Sequence, residues 1–166
     1  MKTERIDEID VKILNLLQES GRIKRSEIAE RVGLSVPSVS DRMRKLRDRG
    51  IIKGYHAKLD AKRLQVDIAA FLRVRVDGSQ YYPSFVARAV AQEEVQEVHS
   101  ITGDGSHILK VRVRNTTALE QLLSQIQSWD GVSGTVTNLV LSTMKEDSRL
   151  RIEPIELPTV STNEAA

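Results

Sequence analysis

The fold of the N-terminal third is decided by residues 25–50, which read RSEIAERVGLSVPSVSDRMRKLRDRG. Apolar residues recur at helical spacing on both sides of a four-residue link, Val32-Gly33-Leu34-Ser35. This spacing predicts two helices that cross at a tight turn. Gly33 tolerates positive φ, and Ser35 followed by Pro37 is typical of a helix start. The stretch therefore predicts a helix-turn-helix, with Gly50 as the stop of its second helix.

Another helix is predicted before this motif. Its apolar stripe recurs at steps of three and four residues: Ile6, Ile9, Ile13, Leu16 and Leu17. Gly21 is expected to end that helix, and Ser26 to cap the next one. Residues 51–59 are predicted to form an extended strand. The N-terminal part is thus predicted to be a winged-type helix-turn-helix domain of three helices.

The second half of the chain changes to the period-two alternation of strands, interrupted by two helical stripes. Strands are predicted at residues 68–76, 95–102, 107–114 and 132–144, and helices over residues 82–90 and 119–126 with Gly131 as the stop of the latter. The order β-α-β-β-α-β is that of a ferredoxin-like unit with helices on one face of its sheet. The predicted fold class is therefore α+β.

The uncovered face of that sheet is predicted to have a mixed apolar and polar lining. Strict alternation assigns to it Phe71, Arg73, Arg75, Lys110, Arg112, Thr135, Thr137, Leu139 and Leu141. Because Phe71, Leu139 and Leu141 would otherwise form an exposed apolar patch, we expect this face to pack on a partner.

The composition excludes several classes of protein. The chain has 166 residues and no cysteine, which excludes disulfide frameworks, thiolate metal sites and a Cys nucleophile. Its apolar runs are far shorter than the roughly 20 residues that span a bilayer, and no secretory signal is recognisable. The expected location is the cytoplasm.

The small net charge of +2 hides an uneven distribution. Residues 1–66 hold 16 Lys and Arg against 10 Asp and Glu, whereas residues 67–166 hold 9 against 13. Such asymmetry is typical of a nucleic-acid-binding half joined to a half with another role.

The third helix carries most of the residues that we expect to contact double-stranded DNA. Short polar side chains at its start suit base edges and phosphates, and basic side chains further along suit phosphates. The candidate DNA-binding residues are Arg25, Ser35, Val36, Pro37, Ser38, Ser40, Asp41, Arg42, Arg44 and Lys45. The alternative interpretation is an ordinary solvated helix face, on which Arg and Lys are common.

A set of motifs extends this interpretation across the chain: Ile6–Leu14, Gly21-Arg22, Ile28–Ser35, Arg42–Leu46, Gly50–Tyr55, Val98–Asp104, Leu109–Val111, Gly131-Val132 and Thr135–Lys145. Together they resemble the Lrp/AsnC (leucine-responsive, "feast/famine") transcription regulators over about residues 4–146. The resemblance implies a helix-turn-helix that binds a pseudo-palindromic operator, and a ferredoxin-like effector and oligomerisation domain. It also implies homodimers, often assembled into rings such as a tetramer of dimers, and effectors that are usually amino acids.

A turn between two predicted strands is the candidate effector site. Thr102-Gly103-Asp104-Gly105-Ser106-His107 offers backbone N–H groups, a carboxylate for an ammonium group and glycines that allow close approach. In the resembled family small ligands bind near this turn. The match to the family's motif includes Gly103 and Asp104 but not the next two residues, Gly105 and Ser106. The candidate effector-binding residues are Thr102, Gly103, Asp104, Gly105, His107, Thr135 and Thr137. The alternative to an effector site is an ordinary hairpin turn, whose residues are present only because they allow the φ angles of the turn.

No cofactor or metal is expected, and the chain is not expected to be an enzyme. The histidines are His56, His99 and His107, and no third ligand accompanies the last two at metal-binding spacing. Phosphate-binding glycine loops and nucleophile elbows are absent from the sequence. Two alternatives remain open: an effector-independent architectural DNA-binding protein, and a siroheme-decarboxylase-like enzyme in which His99 and His107 approach each other.

The predicted organisation has four parts. Residues 1–59 form the helix-turn-helix domain, 60–66 a linker, 67–146 the ligand-sensing and dimerisation domain, and 147–166 a flexible tail without periodicity.

Overall fold

The computed structural model describes residues 4–157, which divide into two compact units. Among these residues, the helical unit comprises residues 4–58 together with residues 147–157. The sheet unit comprises Leu59–Glu146. The predicted α+β fold class is confirmed.

The helical unit contains three helices: α1 (Glu8–Glu19), α2 (Arg25–Val32) and α3 (Val36–Asp48). Helix α3 begins as predicted, because Ser35 is its N-cap and Pro37 lies in its first turn. Gly33 ends α2 at φ +71°, in the left-handed region that a glycine adopts without strain. Two predicted helix boundaries are wrong: α1 is capped by Ser20 in an extended conformation rather than by Gly21, and Lys24 rather than Ser26 precedes α2.

Two apolar clusters hold these helices together. Ile13, Ile28, Ala29 and Val39 are buried where the three helices meet. A second cluster buries Ile6, Leu14, Leu46 and Ile52 on the other side of α1. Both clusters include a residue of α3, so its orientation is set by packing along much of its length.

A small ladder joins the two ends of the described chain. Strand β1 (Glu4–Ile6) pairs antiparallel with β6 (Ile155–Leu157). The prediction of a strand at residues 51–59 is wrong, because these residues enter no ladder. The predicted flexible tail also differs from the structure over residues 147–157, which contact the helical unit, while residues 158–166 lie outside the described part.

The sheet unit follows the predicted β-α-β-β-α-β order. Its elements are β2 (Ile68–Val76), α4 (Tyr82–Val90), β3 (Val95–Ser100), β4 (His107–Val113), α5 (Thr116–Gln127) and β5 (Val132–Leu139). The four strands form an antiparallel sheet in the order β3-β4-β2-β5. Alternate residues of the central strands are buried under α4 and α5, among them Leu72, Val74, Leu109 and Val111.

The phase of β5 is opposite to the predicted one. A register shift occurs between Arg75 and Val76, which pair with Gly134 and Val132 and leave Ser133 as the extra residue of a bulge. Beyond the bulge Thr135, Thr137 and Leu139 pair with Val74, Leu72 and Ala70, the buried residues of β2. Assignment of these three residues to the open face was therefore wrong, since one extra residue exchanges the faces of a strand. The open face instead carries Gly134, Val136 and Asn138, and β5 ends at Leu139, before Leu141.

Candidate nucleic-acid interface and effector groove

The first turn of α3 presents a continuous exposed surface. Val36, Pro37 and Ser38 are exposed, and Ser40 is half-buried. The Ser35 hydroxyl accepts from the Ser38 N–H at 3.3 Å and shares a 2.8 Å hydrogen bond with the Ser38 hydroxyl. These bonds fix the backbone at the helix start and hold two hydroxyls where a base edge or phosphate can approach.

Four charged residues along the exposed face of α3 are linked by ion pairs. Asp41 Oδ1 lies 2.5 Å from Arg44 Nη2, and Asp41 Oδ2 lies 2.7 Å from Lys45 Nζ. Hydrogen bonds from Lys45 and then from Arg44 lower the pKa of Asp41. Arg44 also pairs with Asp48 at 3.3 Å. The two cations therefore share a carboxylate counter-ion on the surface predicted to meet DNA.

Arg42 differs from its neighbours because its guanidinium points to α1. Its Nη1 donates to Oδ2 of Asp7 and to Oδ1 of Asp10, both at 2.8 Å. Asp7 is the N-cap of α1 and Asp10 its third residue. Each of the two carboxylates also accepts a hydrogen bond from the backbone N–H of the other residue. Burial alone raises the pKa of Asp7, but hydrogen bonds from the Asp10 N–H and from Arg42 outweigh it and lower the pKa. Hydrogen bonds to Asp10 and Asp7 raise the pKa of Arg42.

A polar cavity lies beside this network within the helical unit. Its volume is about 460 Å³, and its lining includes Ser38, Lys45 and two arginines outside the candidate DNA-binding set, Arg5 and Arg49. Arg49 Nη1 donates to the carbonyl oxygen of Arg5 at 3.5 Å. Arg25 lies apart from this cavity, exposed at the first position of α2. The sequence signal for Arg49 was its place in the basic run that ends α3, whereas Arg5 lies outside any motif.

The predicted effector turn borders an open groove of about 490 Å³ in the sheet unit. Asp104 and Gly105 line the groove opposite Gly134 and Val136, and Arg73 and Arg75 of β2 form its floor. Both arginines were predicted on the open face but not as effector residues. The sequence signal that could have indicated both arginines as groove residues is the alternation of charged residues within the otherwise apolar strand β2.

Gly103 and Gly105 shape the turn above this groove, with φ values of +96° and +110°. A Cβ at Gly105 would lie 3.2 Å from the carbonyl oxygen of Val74, so this position also requires a close backbone approach. Ser106 fixes the turn to β2, because its N–H donates to the Val74 oxygen at 3.0 Å and its hydroxyl accepts from the Val76 N–H at 3.0 Å. The structure thus holds Asp104 at the groove rim.

The other candidate effector residues have different positions. Thr102 and Gly103 are exposed but do not line the groove. Thr135 borders it, while its hydroxyl faces the helical layer and accepts from Gln127 Nε2 at 2.7 Å. Thr137 pairs with Leu72 on that same covered face.

His107 lies in the core of the sheet unit. It is 1% exposed, and its ring contacts Phe85 and Tyr82 at centroid distances of 4.7 and 4.9 Å. The prediction that His107 contacts an effector is therefore wrong. Burial lowers its pKa, its Nδ1 lies 2.9 Å from the Ser106 hydroxyl, and its Nε2 has no hydrogen-bond partner within residues 4–157.

The two histidines of the enzyme alternative do not meet. His99 pairs with Ile108 across β3 and β4, while the adjacent His107 pairs with Val74. Neighbouring strand positions point to opposite faces, so the two rings are separated by the sheet. His99 instead hydrogen-bonds Glu97 at 3.2 Å. No group of three or more His, Asp or Glu side chains that could hold a metal ion occurs within the described part of the chain.

A helix-turn-helix followed by a βαββαβ sheet unit with a groove beside its turn defines a class of two-domain transcription regulator. The first domain matches the family description "Winged helix-turn-helix DNA-binding" over residues 6–53, and the second matches "Lrp/AsnC ligand binding domain" over residues 69–150. The chain belongs to the Lrp/AsnC family of transcriptional regulators.

Two curated relatives cover nearly the whole chain. The HTH-type transcriptional regulator FL11 of Pyrococcus horikoshii is 39% identical over 149 residues, which are 89% of this chain and 97% of that protein. The leucine-responsive regulatory protein of Salmonella typhimurium is 35% identical over 151 residues, with 89% and 92% covered. The first relative is named as a transcriptional regulator and the second as a regulatory protein.

Solved structures agree with this assignment. A transcriptional regulator of Neisseria meningitidis, in complex with L-methionine, matches with a TM-score of 0.82 at 30% identity, covering 87% of this chain and 96% of its own. AsnC of Escherichia coli matches with a TM-score of 0.80 at 30% identity, covering 87% and 97%. No helix among residues 4–157 is long and apolar enough to cross a membrane.

Proposed function

We propose that this chain is a sequence-specific DNA-binding regulator whose occupancy of its operator is modulated by a small zwitterionic effector. The observation that carries the proposal is the exposed face of α3, where Val36, Pro37 and Ser38 precede the cations Arg44 and Lys45. Small side chains allow the helix start to approach base edges, and the cations follow where phosphates would lie. The DNA partner also places the chain in the compartment that holds the genome.

The proposed DNA contacts divide into two groups. The first group is assigned to the floor and rim of the DNA major groove and consists of Ser35, Val36, Pro37, Ser38, Ser40 and Asp41. The second group is assigned to phosphates and consists of Arg25, Arg44 and Lys45. Arg42 is set apart, since its guanidinium is committed to Asp7 and Asp10. Loss of a phosphate contact lowers the salt dependence of binding by about 0.9 in log–log slope, which separates the groups by experiment.

A homodimer is part of the proposal. The open face of the sheet presents Phe71 and Val136, which are 39% and 56% exposed, among cationic side chains. A second copy that covered this face would remove an apolar patch from water and bring two α3 helices into one assembly. Two recognition helices would read half-sites about 34 Å apart or a multiple of it, so the operator would be pseudo-palindromic. Assembly of dimers into a tetramer of dimers belongs to the same proposal.

The effector proposal rests on charge placement in the groove. Asp104 supplies a carboxylate for an ammonium group, and Arg73 and Arg75 supply guanidinium groups that suit a carboxylate. A free amino acid carries both groups a few ångströms apart. The L-methionine bound by the Neisseria meningitidis regulator supports this chemical class of effector.

The test is a fluorescence-anisotropy titration of the full chain against two duplexes at physiological salt. One duplex is selected by the chain from a random library, and the other is its scrambled sequence. We expect the selected duplex to bind about a thousandfold tighter or better, the usual margin of a specific regulator. Equal affinities would contradict sequence-specific recognition and favour an architectural DNA-binding protein.

A further inference from the structure

The last described segment, Asp147–Leu157, is here named the strap. It belongs to the helical unit, although it follows directly from the sheet unit. Its end forms β6, which pairs with β1, so that Ile155 lies opposite Ile6. Two of its apolar side chains, Ile152 and Leu157, pack on the cluster that buries Leu46 of α3. The strap therefore contributes to the apolar core behind the recognition helix.

Gln18 of α1 holds the middle of the strap. Its Nε2 donates to the carbonyl oxygen of Leu150 at 3.0 Å, and its Oε1 accepts from the Leu150 N–H at 2.7 Å. One side-chain amide thus satisfies both backbone groups of a strap residue, as a neighbouring strand would. The two groups are 132 positions apart in sequence, so local chain geometry does not bring them together.

The strap also gives the helical unit a second covalent connection. The chain crosses between the units at Lys58–Leu59 and again at Glu146–Asp147. At the second crossing Glu146 accepts from Lys110 Nζ at 2.9 Å, and Lys110 also donates to Glu97 at 3.1 Å. Lys110 lies on the open face of the sheet, opposite Phe71. The strap therefore follows directly on Glu146, a residue tied to that face, and ends in the core behind α3.

We infer that the strap is a positioning element for the recognition helix, which holds α3 in place through the Leu46 cluster. Strand β6 lies outside both family matches, which end at residues 53 and 150. The inference rests on the proposed function, because it takes α3 to be the helix that reads DNA.

The experiment is native-state hydrogen exchange of the full chain, followed by mass spectrometry. The variant is Gln18→Ala, and the matched control is Gln121→Ala on an exposed face of α5. We expect exchange to rise about tenfold, the effect of losing two modest hydrogen bonds, in the strap and together with it in residues 43–52. Exchange in the sheet unit, and throughout Gln121→Ala, should stay at the wild-type rate.

In the exchange of wild type and Gln18→Ala, either of two results would overturn the inference. The first is faster exchange in the strap alone, and the second is a wild-type strap that already exchanges at the rate of an unfolded chain. If Gln18→Ala changes exchange in neither region, a second variant is used, Ile152→Ser, which removes an apolar strap side chain from the Leu46 cluster. Unchanged exchange in residues 43–52 of Ile152→Ser would also overturn the inference.

DNA binding provides a separate readout. Gln18→Ala should weaken binding to the selected duplex severalfold with an unchanged salt slope, because no phosphate contact is lost. An unchanged affinity would overturn the positioning role. The exchange experiment needs no DNA, so failure of the chain to bind DNA would contradict the proposed function and leave the result on the strap standing.

Discussion

Arg42 Nη1 lies 2.8 Å from Oδ1 of Asp10, a contact that joins the middle of α3 to the first turn of α1 across 32 positions of sequence. The same nitrogen bonds Asp7, the N-cap of α1, at 2.8 Å. Arg42 thus holds α1 and α3 together, whereas the other charged side chains of α3 point to solvent. Arg42 is therefore part of the basic run in the sequence, but in the structure it stabilises the packing of α3 on α1.

Replacing Arg42 should change stability rather than phosphate binding. Arg42→Gln leaves two carboxylates facing each other without their cation, and we expect a loss of about 1–2 kcal/mol in the free energy of unfolding, measured by urea titration. The log–log salt slope of DNA binding should stay unchanged. Lys45→Gln is the matched control, with near wild-type stability and a slope lower by about 0.9. A lower slope in Arg42→Gln would place its guanidinium on a phosphate and contradict the scaffold role.

Asp41 should restrain binding to arbitrary DNA. It supplies a shared carboxylate to Arg44 and Lys45, and its own charge repels phosphates. We expect Asp41→Asn to raise affinity for the scrambled duplex by about three- to tenfold, a free-energy change similar to that of a surface ion pair or a little more. The ratio of specific to non-specific affinity should fall. Anisotropy titrations on both duplexes measure this ratio, and an unchanged affinity for scrambled DNA would exclude the counter-ion role.

His107 should make the fold sensitive to mild acid. Burial lowers its pKa in the folded chain, while the unfolded chain takes up a proton near pH 6.5. The unfolded state therefore binds more protons below that pH, and stability should fall by up to about 1.4 kcal/mol per pH unit as the pH decreases from about 6.5. His107→Leu should flatten this dependence between pH 7 and pH 5, while His99→Leu, at an exposed position, should preserve it. Urea titrations across that range provide the comparison, and equal slopes for wild type and His107→Leu would contradict the assignment.

Asp104 should be required for the response to an amino acid. A bound effector at 100 times its dissociation constant stabilises the folded chain by about 2.7 kcal/mol, which corresponds to a rise of about 5–10 °C in Tm. We expect at least one of the twenty amino acids to produce such a rise in the wild type and not in Asp104→Asn. Asp130→Asn, an exposed carboxylate away from the groove, should respond as the wild type does. A screen in which the wild type ignores every amino acid would favour an effector-independent protein.

The sequence predicted best those features that depend on neighbouring residues. Helix α3 was predicted with its cap because Ser35, Pro37 and the apolar stripe act within a few positions. The alternation of β2 and β4 was also predicted, since both strands are buried on one face. These signals lie within single elements and need no knowledge of what packs against them.

Apart from the two helix boundaries at Gly21 and Ser26, the main errors arose where distant residues decide the structure. The bulge opposite Arg75 exchanges the faces of β5, and nothing in the alternation of residues 132–144 marks it. The partners of β6 and of Arg42 are more than 30 positions away, so neither the ladder nor the ion pair leaves a periodic signal. Of the candidate effector residues, Asp104, Gly105 and Thr135 border the groove, while Thr137 and His107 lie on the covered face of the sheet because of distant pairing and packing.

The central claim is that α3 enters the major groove of DNA, and a dimethyl-sulfate footprint on the selected duplex tests it most directly. The reagent methylates guanine N7 in the major groove and adenine N3 in the minor groove. We predict protection of guanine N7 in two stretches about one helical turn, or a multiple of it, apart. The Lys45→Gln variant should show the same pattern at a higher protein concentration. Saturating binding that leaves every guanine N7 reactive would contradict the claim.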